Sequence, residues 1–446
     1  MRYSRLRVLM VFPICCLIVL LAACSPGDPT GNGGTPTPSS TTATSQPGGS
    51  TPTPTPSQTQ KVPPTQTSCP AAGSGRAMVT AYLARGTHPN LVYVYNVGLP
   101  AHPDTSFLKR FDATSSAKTT IATFSNTYVT DAQVSADGQW ILFVAISGGQ
   151  EKLQAIRLDG QGLQTLYCAS SLLAPQWSTD QRHVIFAQYS GAATQLFLLD
   201  TTSGSVQQEF SDQGSFYMPL TWLDNTRLYL VHNSTDAPAD SLYLLDTSKG
   251  ANQTANDLRI IYKQNVDASH YQCWNADSSY NGLALYVAEC TAPVNTQRPG
   301  LGAVEGPSKI TSMSSVGNTP SPVYQTSAGG ITMVRAITSS LLLFTVDSQA
   351  FDTSLKVDTS QNGLWVVNTN GSGATRLTNT VGSLNNFSQF PWSNVSRNST
   401  YYSLQVVNSS ALSLAIGALS GGAPTSFAST ASGSTSDLSV AGWTSL

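Results

Sequence analysis

The charged side chains best placed to meet a partner fall in three polar stretches: His232 to Asp240, Thr291 to Pro307 and Asp347 to Asn362. They carry Asp236, Asp240, Arg298, Glu305, Asp347, Phe351, Asp352, Lys356 and Asp358. Carboxylates outnumber cations among these residues, so the chemistry on offer is attraction of a cation or a basic peptide. Phe351 adds an apolar contact. Long ordered loops in compact domains tend to be functional; the competing reading is ordinary solvated loop charge.

Catalytic groups do not assemble in the same way. His88, His102, His183, His232 and His270 stand on separate stretches without a His-x-x-x-His pair. A transition-metal site needs three or four ligands within about 2 to 2.3 Å of one ion, so no metal site and no cofactor is expected. The Gly-x-Ser-x-Gly turn that presents a nucleophilic serine in hydrolases does not occur. Ser135-Ala-Asp137-Gly-Gln-Trp140 resembles the Asp-box of sialidases, but one residue is missing before both the glycine and the aromatic. No catalytic residue is singled out.

The elements that must position the three stretches come from a repeat. A phrase opens at Val134-Ser-Ala-Asp-Gly, Trp177-Ser-Thr-Asp, Trp222-Leu-Asp, Trp274-Asn-Ala-Asp, Ala336-Ile-Thr-Ser-Ser, Trp392-Ser-Asn and Trp443, at intervals of 43 to 62 residues. Each phrase precedes an apolar run, a polar loop, a second apolar run, a turn and a last short run. In the second unit these are Trp140-Ile-Leu-Phe-Val, Leu153-Gln-Ala-Ile-Arg-Leu-Asp159, Gly160-Gln-Gly and Leu163-Gln-Thr-Leu. Short aliphatic and aromatic runs bounded by Gly, Asn, Asp and Ser are strands joined by tight turns. A period of this size built from short strands is the signature of a β-propeller.

Leu364-Trp-Val-Val-Asn-Thr-Asn-Gly-Ser-Gly-Ala-Thr-Arg-Leu-Thr378 resembles the third and fourth strands of a TolB-type propeller repeat, and Val134-Ser-Ala-Asp-Gly138 resembles that family's first turn. The resemblance runs from about residue 77 to the end. It implies an extracytoplasmic interaction protein, although the amino-terminal domain of TolB is absent.

The expected fold is all-β: a seven-bladed propeller of four-stranded antiparallel blades over 69–446. Before Val134 the chain offers three strands, from Ala77, Leu91 and Thr119, and no opening phrase. After the seventh unit, Leu438 to Trp443 is an opening phrase with nothing to follow it. One completes the other, with the C-terminal strand as the innermost strand of blade one. Closure also removes exposed sheet edges. Each tryptophan is expected to wedge between neighbouring blades. The three polar stretches, joining second to third strands in blades four to six, then rise together on one face.

Arg2, Arg5 and Arg7 precede an apolar stretch from Val8 to Ala23, the layout of a secretory signal. Leu21-Ala-Ala-Cys24 resembles a bacterial lipoprotein signal, which implies removal of 1–23, acylation of the Cys24 thiol and a membrane-lipid partner on the extracytoplasmic side. An ordinary cleaved signal or an uncleaved anchor is the alternative. From 24 to 68 the chain is Pro, Thr, Ser and Gly with too little apolar surface to fold, a disordered tether. Cys15 and Cys16 leave with the signal, so Cys69, Cys168, Cys273 and Cys290 remain. Cys273 and Cys290 fall on the first two strands of blade five and are expected to pair, leaving Cys69 with Cys168; free buried thiols are the alternative.

Charged residues are 10% of the chain and the net charge is -2. Nucleic-acid binding through a basic patch is thereby excluded. The expected function is a tethered binding or scaffold module for an envelope protein, peptide or glycan. Two alternatives stand beside it: a polysaccharide hydrolase or lyase with carboxylates at the channel mouth, and a purely structural surface protein.

Overall fold

The apolar run in the second strand of unit two is unbroken because both faces of that strand are covered. Trp140, Leu142 and Val144 enter one buried cluster while Ile141, Phe143 and Ala145 enter another. Strand alternation thus sends successive side chains to opposite neighbours. The computed structural model describes residues 63–446 apart from 78, 80–81, 191–192, 235–238, 264–269, 280, 294–301, 352–354, 385–390 and 409–410. The signal stretch, Cys24 and nearly all of the expected tether lie outside the described residues.

Strands follow one another around a ring. β1 (Asn90–Leu99), β2 (His102–Asp112) and β3 (Lys118–Ser125) belong to blade one. β4 (Tyr128–Val134), β5 (Trp140–Ser147), β6 (Gln150–Arg157) and β7 (Gln164–Ala169) form blade two. Blade three holds β8 (Leu173–Trp177), β9 (His183–Ser190), β10 (Ala193–Asp200) and β11 (Val206–Gln213). Blade four holds β12 (Ser215–Trp222), β13 (Arg227–Ser234), β14 (Ala239–Asp246) and β15 (Arg259–Lys263). In blade five β16 (His270–Ser278), β17 (Ala284–Pro293), β18 (Ala303–Ser314) and β19 (Ser321–Thr326) pair in order. Blade six contains β20 (Ile331–Ala336), β21 (Leu341–Val346), β23 (Gly363–Asn368) and β24 (Thr375–Thr378), with the short β22 (Gln349–Ala350) between β21 and β23 in sequence. Blade seven contains β25 (Tyr401–Asn408), β26 (Ala411–Ala418) and β27 (Thr425–Ser429). Two short pieces fill its inner position: Ser383 exchanges both backbone bonds with Gln405, and Val395 bridges Tyr402. β28 (Asp437–Thr444) pairs antiparallel with β1, Trp443 opposite Leu91, and closes the ring.

Seven buried clusters sit one in each gap between successive blades, the last joining Leu91, Tyr93, Leu438 and Trp443 of blade one to Leu414 and Phe427 of blade seven. The chain is therefore a closed seven-bladed β-propeller with its core divided into seven wedges.

Two sequence expectations change in detail. Ala77 to Leu83 is not a strand of blade one in its described residues. Ala77 packs beside Trp140 and Trp177 between blades two and three, and its N–H donates to Thr201 O. The missing strand is β2, whose polar residues alternate with buried Ser106, Leu108 and Phe111, a half-buried pattern that lacks an apolar run. The register also moves the phrase in two units. Trp177, Trp222 and Trp443 share one position, pairing with Val184, Leu228 and Leu91. The matching residues in blades five and seven are Ser278 and Val395, opposite Leu285 and Tyr402. Trp274 and Trp392 lie upstream of that position, yet Trp274 is still a buried wedge between blades four and five, and Trp392 packs against the seam between blades seven and one.

Candidate functional site

Each blade alternates strand direction, so turns between first and second strands lie on one face of the ring and loops between second and third strands on the other. The phrase residues occupy the first face, where they bind blade to blade. Asp137 N donates to Gln181 Oε1, and Thr179 Oγ1 to Asn225 Oδ1. Thr444 Oγ1 donates to Gly138 O. Arg397 reaches from blade seven across the seam, with Nε on Trp443 O, Nη1 on Ala136 O and Nη2 on Ser135 O. Its guanidinium lies 4.3 Å from the centroid of the Trp392 ring. These contacts use several of the polar groups on this face to hold the ring together.

The opposite face carries the three polar stretches. Strands extend further into them than the sequence suggests, so Asp240 belongs to β14 and Glu305 to β18. Asp236, Arg298 and Asp352 lie outside the described residues. The stretch from Asp347 to Asn362 is built at its root. Asn362 accepts from Ser348 N at 2.8 Å and donates back to Ser348 O at 2.9 Å, while Ser348 Oγ accepts from Gly330 N. β22 then crosses to blade five and pairs with β18, Ala303 opposite Ala350 and Val304 opposite Gln349. The N–H of Phe351 donates to Gly302 O. Blades five and six therefore share one raised lobe, with Glu305 on β18 and Asp347 and Phe351 on either side of β22.

Exposure differs along the lobe. Phe351 is 49% and Leu355 37% exposed, and Lys356 and Asp358 are exposed beside them. Asp358 accepts from Ser360 N at 2.8 Å, and this bond holds its carboxyl below the usual range. Asp347 lies inside the lobe, where burial pushes its carboxyl up to about 6. It is a root residue of the lobe, whereas Phe351 and Leu355 are its apolar tip.

At the lobe's other root, Cys273 and Cys290 stand directly opposite each other on β16 and β17 and are bridged, with Cα atoms 5.1 Å apart. Ala292 and Val304 pack around the bridge. Cys69 is bridged to Cys168 on β7, Cα–Cα 5.8 Å, and fixes the incoming chain to the outer edge of blade two. Gln66 pairs with Gln164 on the same strand. Among the described residues, no three His, Cys, Asp or Glu side chains gather as a metal site would require.

One further group on this face escaped sequence reasoning. At four of the gaps a side chain of the third strand accepts the N–H that lies five residues before the shared Trp position of the next blade. Ser106 accepts from Val129, Thr194 from Tyr217 and Ser308 from Ile331. Between blades two and three a carboxylate does this: Leu172 N donates to Glu151 Oε2. Beside it, on β4, is Asp131, with φ 52° in a bulge between Thr130 and Gln133. The matching residue of β8, Ala174, has φ 46°, and its N–H donates to Asp131. Comparing hydroxyl positions blade by blade would have exposed Glu151, but that comparison requires the true register.

No protein-family model matches the chain, and no curated protein sequence matches it. Solved structures do. TolB from Acinetobacter baumannii is 13% identical with a TM-score of 0.41, over 66% of this chain and 65% of that one, so the chain spans slightly less than two thirds of its length. A putative TolB from Agrobacterium tumefaciens is 14% identical with a TM-score of 0.38, over 67% and 91%. An oligogalacturonate lyase in complex with manganese is 9% identical with a TM-score of 0.49, over 73% and 90%. These likenesses agree with the β-propeller that the order of the sheets shows.

Proposed function

We propose that this propeller is a tethered extracytoplasmic binding or scaffold module whose partner is an envelope protein, peptide or glycan. The observation that carries the reading is the raised lobe. β22 of blade six is strapped to β18 of blade five, and the strap ends in exposed Phe351 and Leu355 on the face that the inter-blade bonds of the phrases leave free. Apolar side chains held on a hydrogen-bonded frame cost little ordering entropy on binding. The tethering half of the proposal rests on Cys24 and the Pro/Thr/Ser segment behind it.

The test replaces Phe351 and Leu355 with Ser in the full chain and measures binding to an envelope-glycan array and to purified envelope proteins. Loss of a wild-type interaction in the double variant, with an unchanged melting curve, supports the lobe; retention of that interaction refutes it. A second reading, a polysaccharide hydrolase or lyase, is favoured by one observation, the adjoining carboxylates Asp131 and Glu151. Turnover of an acidic polysaccharide that disappears in Asp131→Asn would favour it over the binding module. Labelling with a palmitate analogue, abolished by Cys24→Ala, tests the lipid anchor.

A further inference from the structure

The chain is fastened to blade two well before it reaches blade one. Gln66 N donates to Leu163 O at 2.8 Å and Gln66 O accepts from Thr165 N at 2.9 Å, so Gln66 lies parallel against β7. Lys152 Nζ, from β6, donates to Thr67 O at 3.1 Å. Cys69 follows, bonded covalently to Cys168 near the end of β7. Behind the bridge the chain is threaded between blades two and three: a Cβ on Gly75 would lie 1.8 Å from Leu166 O, and one on Gly204 would lie 2.7 Å from Gly75 N. Only then does it cross the phrase face of blade two, where Leu83 N donates to Gln139 Oε1, and reach blade one, where Gly86 N donates to Ser445 O at 2.6 Å.

That last contact lies beside the seam. β28 is held in blade one by pairing and packing, with no chain connection to β1. Tension carried along 70–89 would enter β1 at Asn90, which pairs with Thr444 of β28, and would draw the two strands apart.

We propose that the Cys69–Cys168 bridge and the Gln66 pairing form a mechanical clamp, which diverts tension from the amino-terminal side into blade two and keeps the β28–β1 seam out of its path. This rests on the tethered reading above, in which pull arrives through 24–68. The bridge joins residues 99 apart in sequence, so 70–167, including β1, β2 and β3 of blade one, is removed from the covalent line of force. Gln66 and Thr67 take up part of the load before the sulfur atoms do. Soon after Cys168 the chain enters β8, the innermost strand of blade three, where Trp177 is fully buried. A bridge that served stability alone would act by restricting the unfolded chain, whatever the direction of pull. A clamp acts along one direction.

An optical trap on the full chain tests this. The first axis runs from a handle ahead of residue 63 to a peptide tag inserted after Lys356, exposed on the lobe. A control axis runs from that tag to one inserted after Ala251, exposed in the loop between β14 and β15. Cys69→Ser should lower the unfolding force along the first axis far more than along the control. Equal losses on both axes, or no loss on the first, overturn the clamp. If Cys69→Ser does not fold, dithiothreitol on the wild-type chain decides. Its thiolate attacks one sulfur of the bridge, whose Cys69 end is exposed, and its second thiol completes the exchange as a cyclic disulfide, leaving both cysteines reduced. Reduction under constant pull should release chain from behind the bridge, up to roughly 330–360 Å at about 3.3–3.6 Å per residue, at a rate that rises with force on the first axis alone. The Cys273–Cys290 bridge has a sequence separation of only 17, and its step is far shorter. A reduction rate indifferent to force on the first axis shows that tension bypasses the bridge and overturns the clamp. The trap itself supplies the pull, so a chain whose Cys24 takes no palmitate would lose the tether and keep the clamp.

Discussion

Replacing Trp443 with Ala should open the ring at its seam. Trp443 is fully buried between Leu91, Tyr93 and Leu438 of its own blade and Leu414 and Phe427 of blade seven. Its ring stacks against Tyr401 at 6.3 Å between centroids and 11° between planes. The indole Nε1 donates to Ser403 Oγ at 3.2 Å. Truncating a buried tryptophan to Ala costs about 3–5 kcal/mol through lost transfer energy and the cavity left behind. The lost hydrogen bond adds about 1 kcal/mol; Ser403 Oγ keeps its bond to Asn394 O, so no buried orphan increases the sum. A loss of about 4–6 kcal/mol is expected by urea unfolding. Trp222→Ala is the matched control, because Trp222 occupies the same register position within a gap that the continuous chain already spans. The two variants should lose similar global stability. Only Trp443→Ala should lose amide protection in β28 and β1 under native conditions, since β28 reaches blade one from the far end of the chain. If the Trp443→Ala midpoint matches wild type, or if Trp222→Ala frees β28 equally, the seam is not where the ring closes.

Three other outcomes are expected. Arg397→Ala removes a cation from three backbone carbonyls and should lower unfolding stability by about 2 kcal/mol; Arg397→Lys should recover less than half, because an ammonium lacks the planar fork. Asp347→Asn should raise stability at pH 7: burial lifts the folded carboxyl from 3.8 to about 6, so the native state binds more protons than the unfolded chain across that window. Stability is then lost as pH rises from about 4 to 6, an upper limit of about 3 kcal/mol, and the variant's pH profile by thermal melts should be flatter there. Unreduced protein should take up no thiol-alkylating mass at Cys69, Cys168, Cys273 or Cys290, and Cys69→Ser with Cys168→Ser should destabilise the domain by about 4 kcal/mol through release of a long loop; labelling without reductant or an unchanged midpoint would contradict the bridges.

The architecture was legible because a propeller strand buried on both faces writes an unbroken apolar run, as Trp140-Ile-Leu-Phe-Val does, and because the turns carry Gly, Asn and Asp. The closure was legible from what each end of the chain lacked. Two strand assignments failed for the converse reason. β2 reads His-Pro-Asp-Thr-Ser-Phe-Leu-Lys-Arg-Phe-Asp, with alternation too polar to be noticed, whereas Ala77, Val79 and Leu83 are apolar because they pack into the gaps between blades. Tryptophan drew the phrase to Trp274 and Trp392, when the register falls on Ser278 and Val395. The missed strand β2 also hid Ser106, one of the hydroxyls against which Glu151 stands out. Glu151 is recognised only by comparing equivalent positions of the third strands, and that needs each third strand to be placed.

That comparison also distinguishes the two faces of the ring. On the phrase face Gln181, Asn225, Thr444 and Arg397 each bind a neighbouring blade. Altering those residues for a ligand would weaken the ring itself. On the opposite face hydroxyl contacts join the blades at three gaps. Both departures from symmetry occur there: the strap between blades five and six, and the carboxylate pair between blades two and three. In a fold that repeats for packing reasons, a repeat broken without loss of packing is where a proposed site is best sought. Buried clusters flank both departures, so each interrupts the polar pattern of the ring while leaving its apolar wedges whole.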